Sequence, residues 1–380
     1  MSAETVLANA RIVTAESVIH GSLVVRDGTI VAIDDRPGAT AGALDLDGDW
    51  LLPGLVELHT DNLERLFNPR PAVRWPADAA MLTHDAQVAA AGITTVGDAV
   101  CVGFYGGKSE RLEYLNLSID VLRRARAARA LKAEHFLHLR LETADPRMLE
   151  LFEPLLAEPT LRLVSLMDHT PGQRQWQDID HFRSFTLGRD VHSEEEFQAL
   201  LARRLREQRE HAHGQRAEVL RLLADHPAVR ASHDDATVEH VAEAVASGCT
   251  IAEFPTSVVA AEAAHAAGMA IVMGAPNLVI GGSHSGNVSA AELAGRGLLD
   301  VFSSDYVPAS LLHSAFLLRE GFGVAMPEAI APITRNPADL LGLADRGRIA
   351  QGLRADLLRV REIGSTPTVV AVWRQGQRIA

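Results

Sequence analysis

His59-Thr60-Asp61 closes an apolar run that starts at Leu52. In an extended segment residues two apart face the same side, so His59 and Asp61 point at one spot. An imidazole and a carboxylate converging there suit a divalent metal. The pattern recurs along the chain: other apolar runs end in Glu142, in Asp168-His169, in His233-Asp234-Asp235 and in Ser303-Ser304-Asp305. The candidate ligands are therefore His59, Asp61, Glu142, His169, His233 and Asp305. Nitrogen and oxygen donors without a thiolate predict two divalent ions, Zn²⁺ first, with Mn²⁺ or Fe²⁺ as alternatives. A bridging carboxylate would hold such ions about 3.5–4 Å apart. Taken singly each residue is ordinary. A histidine at a strand end is more often structural, and an aspartate after a strand commonly caps a helix, which fits Asp235. It is the joint pattern that argues for a metal site. Glu253 and Asp234 are candidates for supporting that site, and the remaining histidines, His135 among them, read as structural.

A second set of residues could hold an anion. Arg65 and Arg70 lie in the proline-stiffened segment after His59, Arg140 precedes Glu142 on the same strand face, and Arg174 sits in Pro171-Gly172-Gln173-Arg174. Further on, Gly282-Ser283-His284-Ser285-Gly286 offers backbone N–H groups beside Ser283, His284 and Ser285 as donors. Guanidinium groups bind phosphate bidentately, so this set points to a polyphosphate.

Such groups need a scaffold that brings strand ends together. Eight runs predict strands: 52–59, 94–100, 136–142, 161–168, 230–233, 250–254, 270–274 and 299–304, alternating with Ala/Leu/Glu-rich helical stretches. This is an α/β pattern, and eight units fit a (β/α)8 TIM barrel, whose active site lies at the C-terminal strand ends. A doubly wound open sheet is the alternative. Residues 1–51 and 345–380 read as short strands with turns, Asp27-Gly28 among them, and predict a small β-sandwich domain built from both termini. The barrel then spans 52–344. Residues 175–229 interrupt it as a helical insertion, with Ser193 opening a helix, as a solvated excursion, a lid or a dimer contact.

Composition narrows the class. At 47% hydrophobic and 22% charged over 380 residues, the chain has the balance of a globular enzyme. A net charge of −13 argues against nucleic-acid binding and means an anionic substrate needs a local basic patch. Cys101 and Cys249 read as two buried thiols. The apolar runs are too short for a membrane span, and the acidic start is unlike a signal peptide, so a cytoplasmic homodimer acting on a small molecule is expected.

Leu52-Pro53-Gly54-Leu55-Val56-Glu57-Leu58-His59 resembles the first-strand signature of the amidohydrolase superfamily. Asn336-Pro337-Ala338-Asp339 and Gly347-Arg348-Ile349-Ala350-Gln351-Gly352 resemble its C-terminal signature. Most members carry His-x-His where this chain has His59-x-Asp61. The motifs Ser165–Gln175, Ala231–Thr237 and Gly282–Asn287 resemble the subgroup of the carbon–phosphorus lyase pathway. That resemblance implies hydrolysis of α-D-ribose 1-methylphosphonate 5-triphosphate to the 5-phosphate and pyrophosphate, with Asp305 as general base. It implies Glu142 as the bridging group where many relatives use a carboxylated lysine on the fourth strand. Relatives draw their next two histidines from strands five and six, whereas the count above puts His169 and His233 at strands four and five. A cyclic amidohydrolase or deaminase acting on a C–N bond, and a non-catalytic scaffold, are the competing readings.

Overall fold

The computed structural model describes residues 4–36, 42–70, 73–103, 110–188, 191–283 and 286–380, the side chains of 110 and 111 excepted. Eight parallel strands form the central sheet: β1 (Leu55–Thr60), β2 (Ile93–Val102), β3 (Glu134–Glu142), β4 (Leu161–Met167), β5 (Val229–His233), β6 (Ile251–Glu253), β7 (Ala270–Gly274) and β8 (Val301–Ser303). Each pairs with its sequence neighbour, and a parallel bridge from Thr60 to Asp305 brings the last strand round to the first. The doubly wound alternative is thereby excluded. With eight strands counted in order, His169 does follow the fourth and His233 does end the fifth.

Strand alternation explains the core. Leu137, Leu139 and Leu141 of β3 pack outward into the large layer beneath the helices. Phe136 faces the other way and joins Val56, Leu163, Ala231, Ile251, Val272 and Val301 inside the barrel. His138, Arg140 and Glu142 continue the parity of Phe136, so period two carries three polar groups up the inner face.

The chain ends build a separate eight-stranded sheet. Trp50–Pro53 pairs with Glu4–Val13 on one side and with Leu357–Ile363 on the other, which joins the two termini. Asp27 and Gly28 both have positive φ, the geometry of the hairpin turn expected there. The strand expected over 52–59 is two strands in two sheets, divided at Gly54. A Cβ on Gly54 would lie 2.4 Å from Thr94 Oγ1, so only glycine lets the chain cross there. Two arginines that flank the last part of the C-terminal signature fasten the two units. Arg346 reaches Thr95 Oγ1 at 2.9 Å and Glu134 at 3.0 Å, and Arg354 reaches Glu134 at 2.6 Å.

The insertion is helical. It contains helices Ile179–Thr186, Glu194–Glu207 and His213–Leu222, with Ser193 Oγ capping the second by accepting from Glu196 N. Trp176, Phe182, Val191 and Phe197 give it a small core of its own, so it is a packed cap and not a solvated excursion. Asp235 does not cap a helix; Thr237 does, by accepting from His240 N, while Asp235 accepts from Ser232 Oγ and Arg174. No helix among the described residues is long and apolar enough to cross a membrane.

Candidate metal centre and phosphate pocket

The C-terminal strand ends open on a cavity of about 560 Å³. All six candidate ligands line it: His59 on β1, Asp61 just after, Glu142 at the tip of β3, His169 after β4, His233 ending β5 and Asp305 after β8. Asp234, Phe254 and Asp305 each follow a barrel strand with positive φ, of 57°, 53° and 53°. Left-handed backbone at non-glycine residues costs about 1–3 kcal/mol each and here turns strand-end side chains around the cavity mouth.

Two clusters of donors lie within the barrel mouth. Atoms of His169, His233 and Asp234 lie within 4.8 Å of one another, as do atoms of His59, His138 and Glu253. The His59 and His233 rings are 5.9 Å apart and link the clusters. His233 Nε2 and Asp61 Oδ1 are buried without a hydrogen-bond partner, while His233 Nδ1 lies 2.8 Å from Asp234 Oδ2. Buried polar atoms are nearly always satisfied, so these two point to a cation between them and the neighbouring donors. Electrostatics agree. Burial, with Arg140 and His233 adding to it, keeps His59 neutral, the form in which imidazole binds a metal. Burial and then the charge of Asp61 push the Asp305 carboxyl up to about 7. Burial opposes protonation of His169, but Glu142 and Asp234 outweigh it and raise the ring to about 10. Too much negative charge faces too little positive charge, the condition that divalent ions relieve.

His138 plays a different part, and the sequence gives little sign of it. Its Nδ1 lies 3.1 Å from Leu58 O and its Nε2 2.6 Å from Ser165 Oγ, so both nitrogens are occupied. Ser165 Oγ is also 2.5 Å from Glu253 Oε2, and Glu253 Oε1 is 3.1 Å from His59 Nδ1. This buried chain fixes the His59 ring with Nδ1 inward and Nε2 outward. Glu253 thus supports His59, as its position at the end of β6 suggests.

Glu57 carries no mark in the sequence, because it lies between apolar neighbours in Leu55–His59. Its carboxylate accepts from His59 N and from Ser304 N, each at 2.6 Å. Burial raises it to about 7, with its hydrogen-bond donors pulling the other way. One side chain therefore ties β1 to β8, the strands that carry His59 and Asp305. A backbone ladder, Asp61 N to Asp305 O and Asp305 N to His59 O, runs beside it.

The structure divides the candidate phosphate ligands. Arg140 and Ser283 line the cavity. Arg140 stays firmly protonated: burial opposes it, but Cys101, Asp61 and Asp305 prevail. Arg65 turns away, donating to Tyr306 O at 2.6 Å, and Arg70 is exposed and does not reach the cavity. His284 and Ser285 lie outside the described residues. Arg174 is buried in an ion-pair network with Asp235 and Glu243 and donates to His233 O at 3.2 Å. Its apparent anion loop is a structural brace, because its partners lie about sixty residues downstream. Arg174→Ala should therefore cost stability, about 3–5 kcal/mol as for other broken buried pairs. The KM for a triphosphate should move less than about twofold. A thermal melt and a substrate titration check both, and a large KM rise would return Arg174 to the pocket. Cys249 is buried and its thiol is pushed up to about 12, but Cys101 is only half-buried and lines the cavity.

A second polar group, His84, Asp98 and His135, sits behind β2 and β3. His84 Nε2 and His135 Nδ1 each lie 2.8 Å from Asp98, and His135 Nε2 lies 3.1 Å from Asp85. Every ring nitrogen there has a partner, Asn62 completing His84 at 3.1 Å, so the group is a satisfied brace.

Eight parallel strands and a terminal β-sheet make the fold of amidohydrolases, and this ring of His and carboxylate side chains is consistent with a metal-dependent hydrolase. Solved structures of the same fold include the N-acetylglucosamine-6-phosphate deacetylase of Pasteurella multocida, with TM-score 0.65, 13% identity and 99% of each chain covered. The 5-methylcytosine deaminase of Klebsiella pneumoniae gives TM-score 0.64 at 16% identity, covering 99% of this chain and 98% of that one. No protein-family model matches the chain. It is 44% identical to the alpha-D-ribose 1-methylphosphonate 5-triphosphate diphosphatase of Escherichia coli K12, over 98% of its own length and 100% of the relative's. The chain belongs to the family of that diphosphatase.

Proposed function

We propose that this enzyme hydrolyses α-D-ribose 1-methylphosphonate 5-triphosphate to the 5-phosphate and pyrophosphate. The observation that carries the reading is the full-length likeness to the E. coli diphosphatase. A cavity that joins a metal-type cluster to Arg140 and Ser283 supports it. His59, Asp61, Glu142, His169, His233 and Asp305 would hold two divalent ions, Zn²⁺ first. When bound, such ions supply Lewis acidity and make water nucleophilic at neutral pH.

The residues divide the remaining work. Asp305 takes the proton of the attacking water, because it is the carboxylate that follows β8 and lines the cavity with Asp61 and Arg140. Arg140, in the cavity beside Asp61 and Asp305, neutralises charge on the phosphoryl oxygens. Glu253 holds His59 in one tautomer and orientation. Pyrophosphate is a good leaving group and needs little help from an acid.

The test is a product assay on protein whose metal content has been measured. About two divalent ions per chain and release of pyrophosphate from the sugar triphosphate are expected. Release of ammonia from cyclic amides or amino-heterocycles, with no pyrophosphate, would make the chain a C–N hydrolase instead.

A further inference from the structure

We propose that Arg204, with the aromatic wall formed by Trp176 and Phe185, recognises the sugar–phosphonate end of the substrate. The proposal rests on the sugar-triphosphate reading above. A substrate of that kind has an anion at each end and a ribose between them, so its site needs two poles with the reacting phosphorus in the middle.

The cavity has two such poles. Arg140 and Arg204 are the only guanidinium groups that line it among the described residues. Arg140 stands on β3 beside Asp61 and Asp305, at the reacting centre. Arg204 comes from the helix Glu194–Glu207 of the insertion, and its side chain is only 5% exposed. Its charge is felt by Glu142 at the tip of β3, and Glu207 lies 3.4 Å from it one turn on. Around it the insertion contributes Trp176, Phe182, Phe185 and Leu200, with the Trp176 and Phe185 rings 4.9 Å apart. Flat apolar rings suit the C–H faces of a sugar, and a guanidinium suits a phosphonate oxygen pair.

The other pole follows β7. There Asn277, Gly282, Ser283 and Asn287 line the cavity, and among the described residues there is no cation. Neutral N–H and O–H donors suit terminal phosphates, whose charge the metal ions share. The insertion follows β4 and the loop follows β7, three strands apart round the closed barrel, so Arg204 and the β7 donors reach one cavity from different parts of its rim, as a substrate anionic at both ends requires.

The experiment compares ribose 1-methylphosphonate 5-triphosphate with ribose 5-triphosphate, which lacks the phosphonate. For Arg204→Ala, KM should rise about 30- to 100-fold on the first, the usual effect of losing one charged hydrogen-bonding group. On the second it should rise less than about threefold, with kcat within about threefold on both. Arg204→Lys should recover part of the loss, having the charge but not the planar fork. Equal losses on the two substrates, from either variant, would overturn the assignment while leaving the diphosphatase reading intact. A wild-type enzyme that releases no pyrophosphate from either would overturn both.

Discussion

Replacing Asp305 by asparagine should lower kcat by at least about 10³-fold while the protein stays folded. Asparagine keeps the size and one acceptor oxygen of the side chain but cannot take a proton or carry charge. The backbone that positions it, with Asp305 N donating to His59 O, is untouched, so the thermal transition should shift little. The substitution also has a pH signature. Burial and Asp61 push the Asp305 carboxyl up to about 7, so below that pH a divalent ion must displace a proton to bind. Metal affinity of the wild type should therefore fall as pH drops from 7 to 5. The variant should lose about tenfold per pH unit of that dependence, the share of one proton. Pyrophosphate release and metal titration at two pH values measure both. An active Asp305→Asn enzyme would remove the residue from the base role.

Glu57→Ala should destabilise the protein as strongly as any single change near the site. Its carboxylate satisfies His59 N and Ser304 N together, and both would be left buried without partners. At about 1–3 kcal/mol for each orphaned donor, plus the cavity left by the side chain, the loss is about 3–5 kcal/mol. Activity should fall beyond what unfolding explains, because the same carboxylate sets the spacing of the strands that carry His59 and Asp305. Glu57→Gln tests this more gently. Its amide offers one acceptor and one donor to two N–H groups, so it should recover about half the stability. Thermal melts and kcat on the folded fraction decide it; full stability in both variants would show the ladder of β1 and β8 to be sufficient alone.

Much of this architecture is legible in the chain, for a physical reason. Barrel strands are apolar on both faces, so a His, Asp or Glu that ends such a run stands out, and the ends of parallel strands gather in one place. That is why six ligand candidates scattered from His59 to Asp305 line one cavity. Residues inside a run are harder to read. His138 is flanked by leucines, and only the inward parity of Phe136, Arg140 and Glu142 could have marked it. Glu57 looks like plain alternation until β8 is known to lie beside it. The arginines misled because charge is local in sequence but its partners are not. Arg174 sits in a proline-glycine turn that suits a phosphate, yet Asp235 and Glu243 claim it. Arg204 lies in a helix that reads as solvated, because nothing near it in sequence shows that Trp176 and Phe182 pack that helix over the cavity.

The proposed reaction cleaves a sugar triphosphate between its first and second phosphates with water. Phosphorus NMR of the products, formed from ribose 1-methylphosphonate 5-triphosphate in ¹⁸O-enriched water, tests it most directly. The prediction is equimolar pyrophosphate and 5-phosphate, with the isotope shift on one of the two and no free orthophosphate. Orthophosphate released stepwise, or an unchanged triphosphate in the presence of bound metal, would contradict it.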